Sequence, residues 1–339
     1  MQKTKSHLSA FVRVALALAA CLPVAAPASA GDFWVFQPYE GPAPIYTADF
    51  GLRFWYGKAS TQANLFDTSG STLVSRLNYG DLSLYAVEGF GRIELNKRWF
   101  IKGYIGGGAF RQGNLKDEDF GLPPPLNPFS ATTSALSDSS LSYASIDAGA
   151  NVFWGPDFRV GLFGGFHYLN QNISAFGCSQ LAVNPLICGS LQIPNFVRVI
   201  TQDSNWYSAR VGFDATFEVN RFKFSLDAAW LPYVWFVGTD SHWLRIGTNP
   251  GDFTGAVPDD GHGWGYQLDA FVSYRVYEAL SVGVGGRYWF MRSRGFTHFD
   301  GHIVDMVAFP QVVEWKTTNF GVFVQASLQL GPYSVLDVH

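Results

Sequence analysis

The sequence predicts an all-β protein: a ten-stranded antiparallel transmembrane β-barrel with extended extracellular loops. Three observations carry that expectation. Apolar and mixed side chains alternate over most of the chain, short polar turns alternate with longer loops, and a secretory-type leader precedes the strands.

The alternation comes first because successive side chains of a strand point to opposite faces. Phe222, Phe224, Leu226, Ala228 and Trp230 stand against Lys223, Ser225, Asp227 and Ala229. Tyr207, Ala209, Val211, Phe213, Ala215 and Phe217 stand against Ser208, Arg210, Gly212, Asp214, Thr216 and Glu218. The same split recurs around Tyr266–Tyr274 and Leu280–Tyr288. Such segments lie near 45–59, 72–95, 98–112, 139–154, 158–175, 204–218, 221–240, 263–277, 279–294 and 312–330. Asn96-Lys97, Gly155-Pro156-Asp157, Val219-Asn220 and Tyr277-Glu278 join alternate pairs tightly, and longer stretches join the others. Tight turns at one end and long loops at the other describe an outer-membrane barrel with its turns in the periplasm.

The leader contains Lys3, Lys5 and Arg13, an apolar run from Phe11 to Leu22, and then Ala28-Ser29-Ala30. This is the basic, apolar, small-residue order of a signal peptide. Residues 1–30 are therefore expected to be removed, leaving a segment 31–44 before a barrel over 45–330 and an extension over 331–339. Leu18-Ala19-Ala20-Cys21 is a competing lipoprotein-type processing site that would leave Cys21 acylated. After the leader no apolar run is long enough for a membrane helix. Tyr333, in the extension, is a candidate terminal aromatic for barrel assembly.

Composition agrees with a membrane barrel. Charged residues make up only 15% of the chain and aromatics 17%, with 36 glycines. The net charge is −4 even with the basic leader counted, which argues against nucleic acid as a partner. Cys178 and Cys188 lie ten apart in a loop-like stretch, where export permits a disulfide and two free thiols are the alternative.

Alternation alone does not say which face is inside, so a soluble β-sandwich or lipocalin-like barrel is the competing fold. The strand lengths favour the membrane, because many exceed the 9–11 residues that cross a bilayer. In a barrel this narrow, Glu88, Arg92, Lys102, Asp147, Arg210 and Asp227 are expected to pair as a lumen plug rather than line a conducting path.

If odd-numbered strands climb outward, two polar clusters reach the extracellular mouth. Asp117-Glu118-Asp119 follows the third strand, which ends near Arg111, and Asp240-Ser241-His242 follows the seventh, which ends near Thr239. Four strands apart in a ring of ten, they would face each other across the mouth. A histidine held by a carboxylate can take a proton from water. An opposed acid pair can hold that water and share a proton. A metal site is a weaker reading, since only one imidazole is present. His167, on the lumen face, and His262, His298 and His302, in loops, are expected to be hydrogen-bonded or solvated rather than catalytic.

These motifs resemble the omptin family of outer-membrane aspartate/histidine proteases. The likeness runs from about Ala48 to Leu330 and is sharpest in Gly113-Asn114-Leu115-Lys116-Asp117-Glu118-Asp119-Phe120 and Asp240-Ser241-His242-Trp243. Leu141-Ser142-Tyr143-Ala144 and Phe158-Arg159-Val160-Gly161-Leu162-Phe163-Gly164-Gly165 are also similar to family strands. The resemblance implies a peptide or protein substrate, His242 as general base oriented by Asp240, and Asp117 with Asp119 positioning the attacking water. It implies no metal or other cofactor.

Two departures narrow what the resemblance implies. The positions matching the family's acidic specificity pocket are Gly238 and, approximately, Thr61, so a small or apolar preference is as open as a basic one. The positions matching its lipopolysaccharide-binding set are Phe166, Tyr168, Asn170 and Asp203, none basic. An endopeptidase is therefore the first reading and a non-enzymatic adhesin or envelope scaffold the second. A barrel of this size needs no partner to close, so a monomer in outer-membrane lipid is expected.

Overall fold

The computed structural model describes residues 46–120, 128–182, 188 and 192–330. The leader, Cys21, the segment 31–44 and the extension with Tyr333 lie outside the described residues. The strands are β1 (Tyr46–Phe66), β2 (Leu73–Leu95), β3 (Trp99–Phe110), β4 (Asn114–Asp119), β5 (Ser130–Trp154), β6 (Phe158–Gln180), β7 (Ile193–Val219), β8 (Phe222–His242), β9 (Val257–Arg275), β10 (Leu280–Thr297) and β11 (Gln311–Leu330). Neighbours pair antiparallel, and β11 pairs with β1 from Ala48↔Leu330 to Leu65↔Val313, which closes the ring.

β3 and β4 both lie between β2 and β5, so the eleven segments form ten staves. The interruption falls at Arg111-Gln112-Gly113, opposite a positive-φ Asp81 on β2, and Asp138 on β5 is also in that conformation. A Cβ on Gly113 would meet the Gly80 carbonyl oxygen at 2.8 Å, so a larger residue there would push β4 away from β2. The tight β2–β3 turn carries two left-handed residues, Asn96 and Lys97, with φ of 52° and 57°. The register pairs Leu95 with Trp99, so Asn96, Lys97 and Arg98 form the loop, and Arg98 N donates to Leu95 O at 3.0 Å.

The expected strand ends need correction at the loop-rich side. Strand three ends at Phe110, next to the expected Arg111, but a further strand, β4, continues the same stave after it, and β8 runs through His242. Asp117, Asp119, Asp240 and His242 therefore sit on paired strands and not on loops. β7 runs for 27 residues, more than twice what a bilayer needs. His262 is likewise on β9, facing outward with its ring stacked on Tyr233.

The faces separate cleanly. Leu52, Phe54, Ile101, Ile105, Ile146, Leu162, Val284 and Val324 are exposed on the outer wall. Tyr56, Tyr85, Trp235 and Tyr266 bound this apolar band towards the loops, and Trp99, Trp154, Phe158 and Phe222 bound it towards the turns. Exposed apolar wall with aromatic girdles is the pattern of a barrel solvated by lipid. A soluble barrel would have turned these faces the other way.

Inside, charged side chains occupy the membrane level. Arg287, fully buried, donates to Asp269 at 2.6 Å and to Glu88 at 2.5 Å, and Glu88 also accepts from Arg53 at 2.7 Å. Arg92 and Lys102 share Asp214, while Arg210 bridges Asp147 and Asp227. Of the charges named from the sequence, Lys102, Asp147, Arg210 and Asp227 pair with one another, whereas Glu88 pairs with Arg53 and Arg287 and Arg92 with Glu94 and Asp214. Above Arg287 stand Trp289 and Trp55, their ring centroids 5.0 Å apart. They begin an apolar core that continues through Tyr79, Leu115, Leu169, Trp206, Phe236 and Trp315. A cavity of about 140 Å³ remains at the turn end, lined in part by Arg221, Lys223 and Asp227. Cys178 and Cys188 form a disulfide with a Cα separation of 5.7 Å, tying β6 to the chain that leads into β7.

Candidate active site

Strand parity places the two polar clusters on the inner wall. On β4, Leu115 packs into the apolar core while Lys116 and Glu118 point outward, which turns Asp117 and Asp119 inward. Asp117 lies across from Leu77 on β2 and from Thr132 on β5. On β8, Phe236 packs into the core, so Asp240 and His242 follow it on the inner face. Asp240 pairs in register with the buried Gln202 of β7. Residues i and i+2 of a strand share a face. That spacing brings His242 Nε2 to 2.8 Å from Asp240 Oδ2.

The four sequence-chosen residues form one electrostatic group. Asp117 is pushed up to about 7, first by burial and then by Asp119 and Asp240, against the pull of His242 and Arg245. Asp119 is also raised, chiefly by burial, although Ser75 hydrogen-bonds it. Burial pushes His242 down, but Asp240 beside it and Asp117 outweigh this and leave it above the ordinary imidazole value. At neutral pH the group thus contains an acid near its midpoint and an imidazole with raised basicity. Among the described residues no group of three or more His, Cys, Asp or Glu side chains is arranged to hold a metal ion.

Several supporting residues escaped the sequence reading. The chain after β8 makes one turn of 3-10 helix, Trp243–Arg245, and Trp243 Nε1 donates to Thr201 Oγ1 at 2.9 Å. Phe253 returns beneath it, its ring 5.5 Å from that of His242 and 4.4 Å from Arg245 Cζ. A backbone hydrogen bond from Phe253 N to Arg245 O, 2.7 Å, fixes this wedge. Asp259 on β9 is buried and accepts from Thr297 Oγ1 at 2.7 Å. Burial, and then Asp240, push it up to about 7. Asp259 was hidden because β9 starts at Val257, earlier than the apolar pattern shows. Gly261, Gly263 and Gly265 occupy its inward positions and carry no hydrophobic signal.

Thr61 and Gly238, the neutral positions at which the sequence departs from the acidic pocket of the resembled family, are packed. Thr61 is fully buried and bonded to Thr317 and Gln171, within a network that reaches Asn319. At Gly238 an added Cβ would stand 2.9 Å from the Asp203 carbonyl oxygen and from the Phe236 ring, and 3.0 Å from Gln202 Nε2. G238D is therefore expected to lower the unfolding midpoint and to gain no cleavage after arginine. Thermal unfolding together with assays on arginine-centred peptides checks both halves.

No family model and no curated protein matches the chain. Solved structures do. The outer membrane protease OmpT from Escherichia coli matches with a TM-score of 0.66 at 13% identity, covering 84% of this chain and 97% of that one. Ail, the attachment invasion locus protein of Yersinia pestis, matches with a TM-score of 0.23 at 10% identity over 82% of this chain and 98% of that one. A Pseudomonas aeruginosa FadL homologue matches with a TM-score of 0.28 at 8% identity over 84% and 90%. Of these three, the OmpT likeness bears on the architecture, and at its identity it shows the fold alone: an outer-membrane β-barrel.

Proposed function

We propose that this barrel is an endopeptidase of a Gram-negative outer membrane, hydrolysing peptide bonds at its extracellular mouth. The observation that carries the reading is the Asp240–His242 contact, set in one electrostatic group with Asp117 and Asp119. OmpT, a protease, shares the fold.

The chemistry follows from the geometry. Asp240 engages Nε2, so Nδ1 of His242 is left to accept a proton. A water between that nitrogen and the Asp117–Asp119 pair attacks the peptide carbonyl carbon and passes its proton to His242. Protonated Asp117 donates a hydrogen bond to the oxyanion as charge develops, which is worth most where water is excluded. The proton on His242 then goes to the leaving amine as the carbon–nitrogen bond breaks. No covalent enzyme intermediate is required, and with Thr61 and Gly238 neutral a small or apolar substrate side chain is as open as a basic one.

The pH dependence has a definite sign. His242 must be neutral, so kcat/KM rises with pH along a limb whose midpoint lies above about 6.5, the ordinary imidazole value. Asp117 must be protonated, so activity falls again as pH passes about 7. The limbs belong to the coupled group rather than to single residues. In D117N any residual activity should lose the alkaline limb, which a pH–rate series on parent and variant reads directly.

A second reading keeps the barrel non-enzymatic, as an adhesin or envelope scaffold. It is favoured by the closed, neutral packing around Thr61 and Gly238, where a pocket for a substrate side chain would open. Incubating the refolded protein with a peptide library, with and without chelator, separates the readings. Cleavage unaffected by chelator supports the metal-free hydrolase. Absence of cleavage at every pH supports the scaffold.

A further inference from the structure

The connections after β8 and after β10 build a second surface beside His242. Phe253, 4% exposed, makes an isolated parallel bridge with Ile246 and an antiparallel one with Ile303. Backbone hydrogen bonds lace the same segments together. Gly247 N donates to Phe253 O at 3.1 Å, Val304 N to Asp252 O at 2.9 Å, and Thr254 N to His302 O at 3.0 Å. The two connections therefore form one platform rather than separate loops. The Phe253 ring sits at its inner edge, facing His242 on one side and stacking on Phe299 on the other, with centroids 6.2 Å apart and an interplanar angle of 19°.

Against this platform lies a groove of about 370 Å³, walled chiefly by Arg245, Phe253, Phe299, Ile303, Val307 and Phe309. Val307 and Phe309 are 84% and 64% exposed. Lipid does not cover them, because β10 continues from Phe290, which pairs with the girdle residue Tyr266, as far as Thr297 before the loop begins. Large apolar side chains gathered round a concavity in water mark a binding surface. Among the described residues no carboxylate lines the groove, and its one charged group is the Arg245 guanidinium over the Phe253 ring. A lysine or arginine side chain entering it would meet a like charge and no counter-ion, whereas an aromatic or aliphatic one would be covered.

Continuity with the candidate active site says what occupies the groove. Phe253 is shared: its ring contacts His242 and also walls the groove. An extended chain advances about 3.3 Å per residue and places alternate side chains on one face. A peptide whose reacting carbonyl stands at His242 thus delivers a side chain past Phe253 within two or three residues. The close packing at Thr61 and Gly238 leaves little room for selection there, so selection falls to this neighbouring groove. Its walls are already joined by backbone hydrogen bonds, which lowers the cost of ordering them around a ligand.

We propose that this groove is a subsite for a large apolar side chain, aromatic or aliphatic, carried by the peptide substrate a few residues from the cleaved bond. The proposal rests on the hydrolase reading for its role, but the binding it requires is measured without turnover. The test uses the refolded full chain in phosphatidylcholine nanodiscs and dye-labelled Gly/Ser heptapeptides with one Phe, Lys or Ala guest walked along the chain. Fluorescence anisotropy reads binding to H242Q, and steady-state kinetics reads kcat/KM of the parent. At one guest position Phe should bind about tenfold or more tightly than Ala, the gain from burying such a side chain, and Lys no better than Ala. V307S/F309S should abolish the Phe advantage, and F309D should turn the preference towards Lys. M306S, on the same loop but outside the groove, should keep the parent's preference. Val307 and Phe309 are mostly exposed, so these substitutions remove little packing, and heat-modifiable gel migration checks that each variant is folded. Three binding results would each overturn the proposal: no difference between the guests, a Phe advantage retained in folded V307S/F309S, or self-association that V307S/F309S abolishes, which would make a second copy the occupant. Cleavage without guest preference would overturn the subsite and leave the hydrolase. Guest-selective binding without cleavage at any pH would support the groove as a peptide site and remove the hydrolase.

Discussion

Replacing His242 by glutamine should leave a folded barrel whose kcat/KM for peptide cleavage is lower by about 10²–10⁴-fold, the usual contribution of a positioned general base. Glutamine keeps a polar side chain of similar reach against Asp240 and Phe253 but has no nitrogen able to accept a proton from water. D240N should lose less than the full factor if orientation and imidazolium stabilisation are its only roles. The double variant should fall little further than H242Q, because residues acting as one unit are strongly non-additive. Steady-state kinetics on a peptide found in the library screen, with heat-modifiable migration as the folding control, measures all three. Parent-like rates in both H242Q and D117N would remove the hydrolase reading and leave the scaffold.

The largest effect on stability is expected within the barrel. R287M should cost about 3–5 kcal/mol, the range for removing one member of a buried ion network. The cause is what stays behind. Glu88 is fully buried, Asp269 is nearly so, and both lose the guanidinium that neutralises them, although Arg53 still reaches Glu88. Methionine keeps much of the packing against Trp55 and Trp289, so the loss would report charge rather than volume. Adding D269N should restore much of the stability, since Arg53 and Glu88 then remain as a 2.7 Å pair and no buried acid is left without a cation. Urea unfolding in lipid vesicles measures both variants, and a single R287M variant as stable as the parent would contradict the account.

The site shows why local motifs were readable while their setting was not. Asp117, Asp119, Asp240 and His242 could be chosen because i, i+2 spacing is a local property that strand geometry converts directly into a shared face. Their placement on loops was mistaken because inward glycine and polar positions extend β4, β8 and β9 without an apolar pattern. Asp259 was invisible for the same reason. The disulfide differs in that both cysteines were conspicuous, and only their spatial approach was open.

By itself the sequence determined the period and the count: side chains alternating by two, tight turns between alternate pairs, and ten staves. It left the sign of that alternation open, because a period of two is unchanged when inside and outside are exchanged. Ring closure decided it. Once β1 pairs with β11, Arg287, Glu88 and Asp269 satisfy one another inside the ring, with Phe90, Phe271 and Phe323 packed around Arg53 beside them. The apolar face then has only lipid to meet.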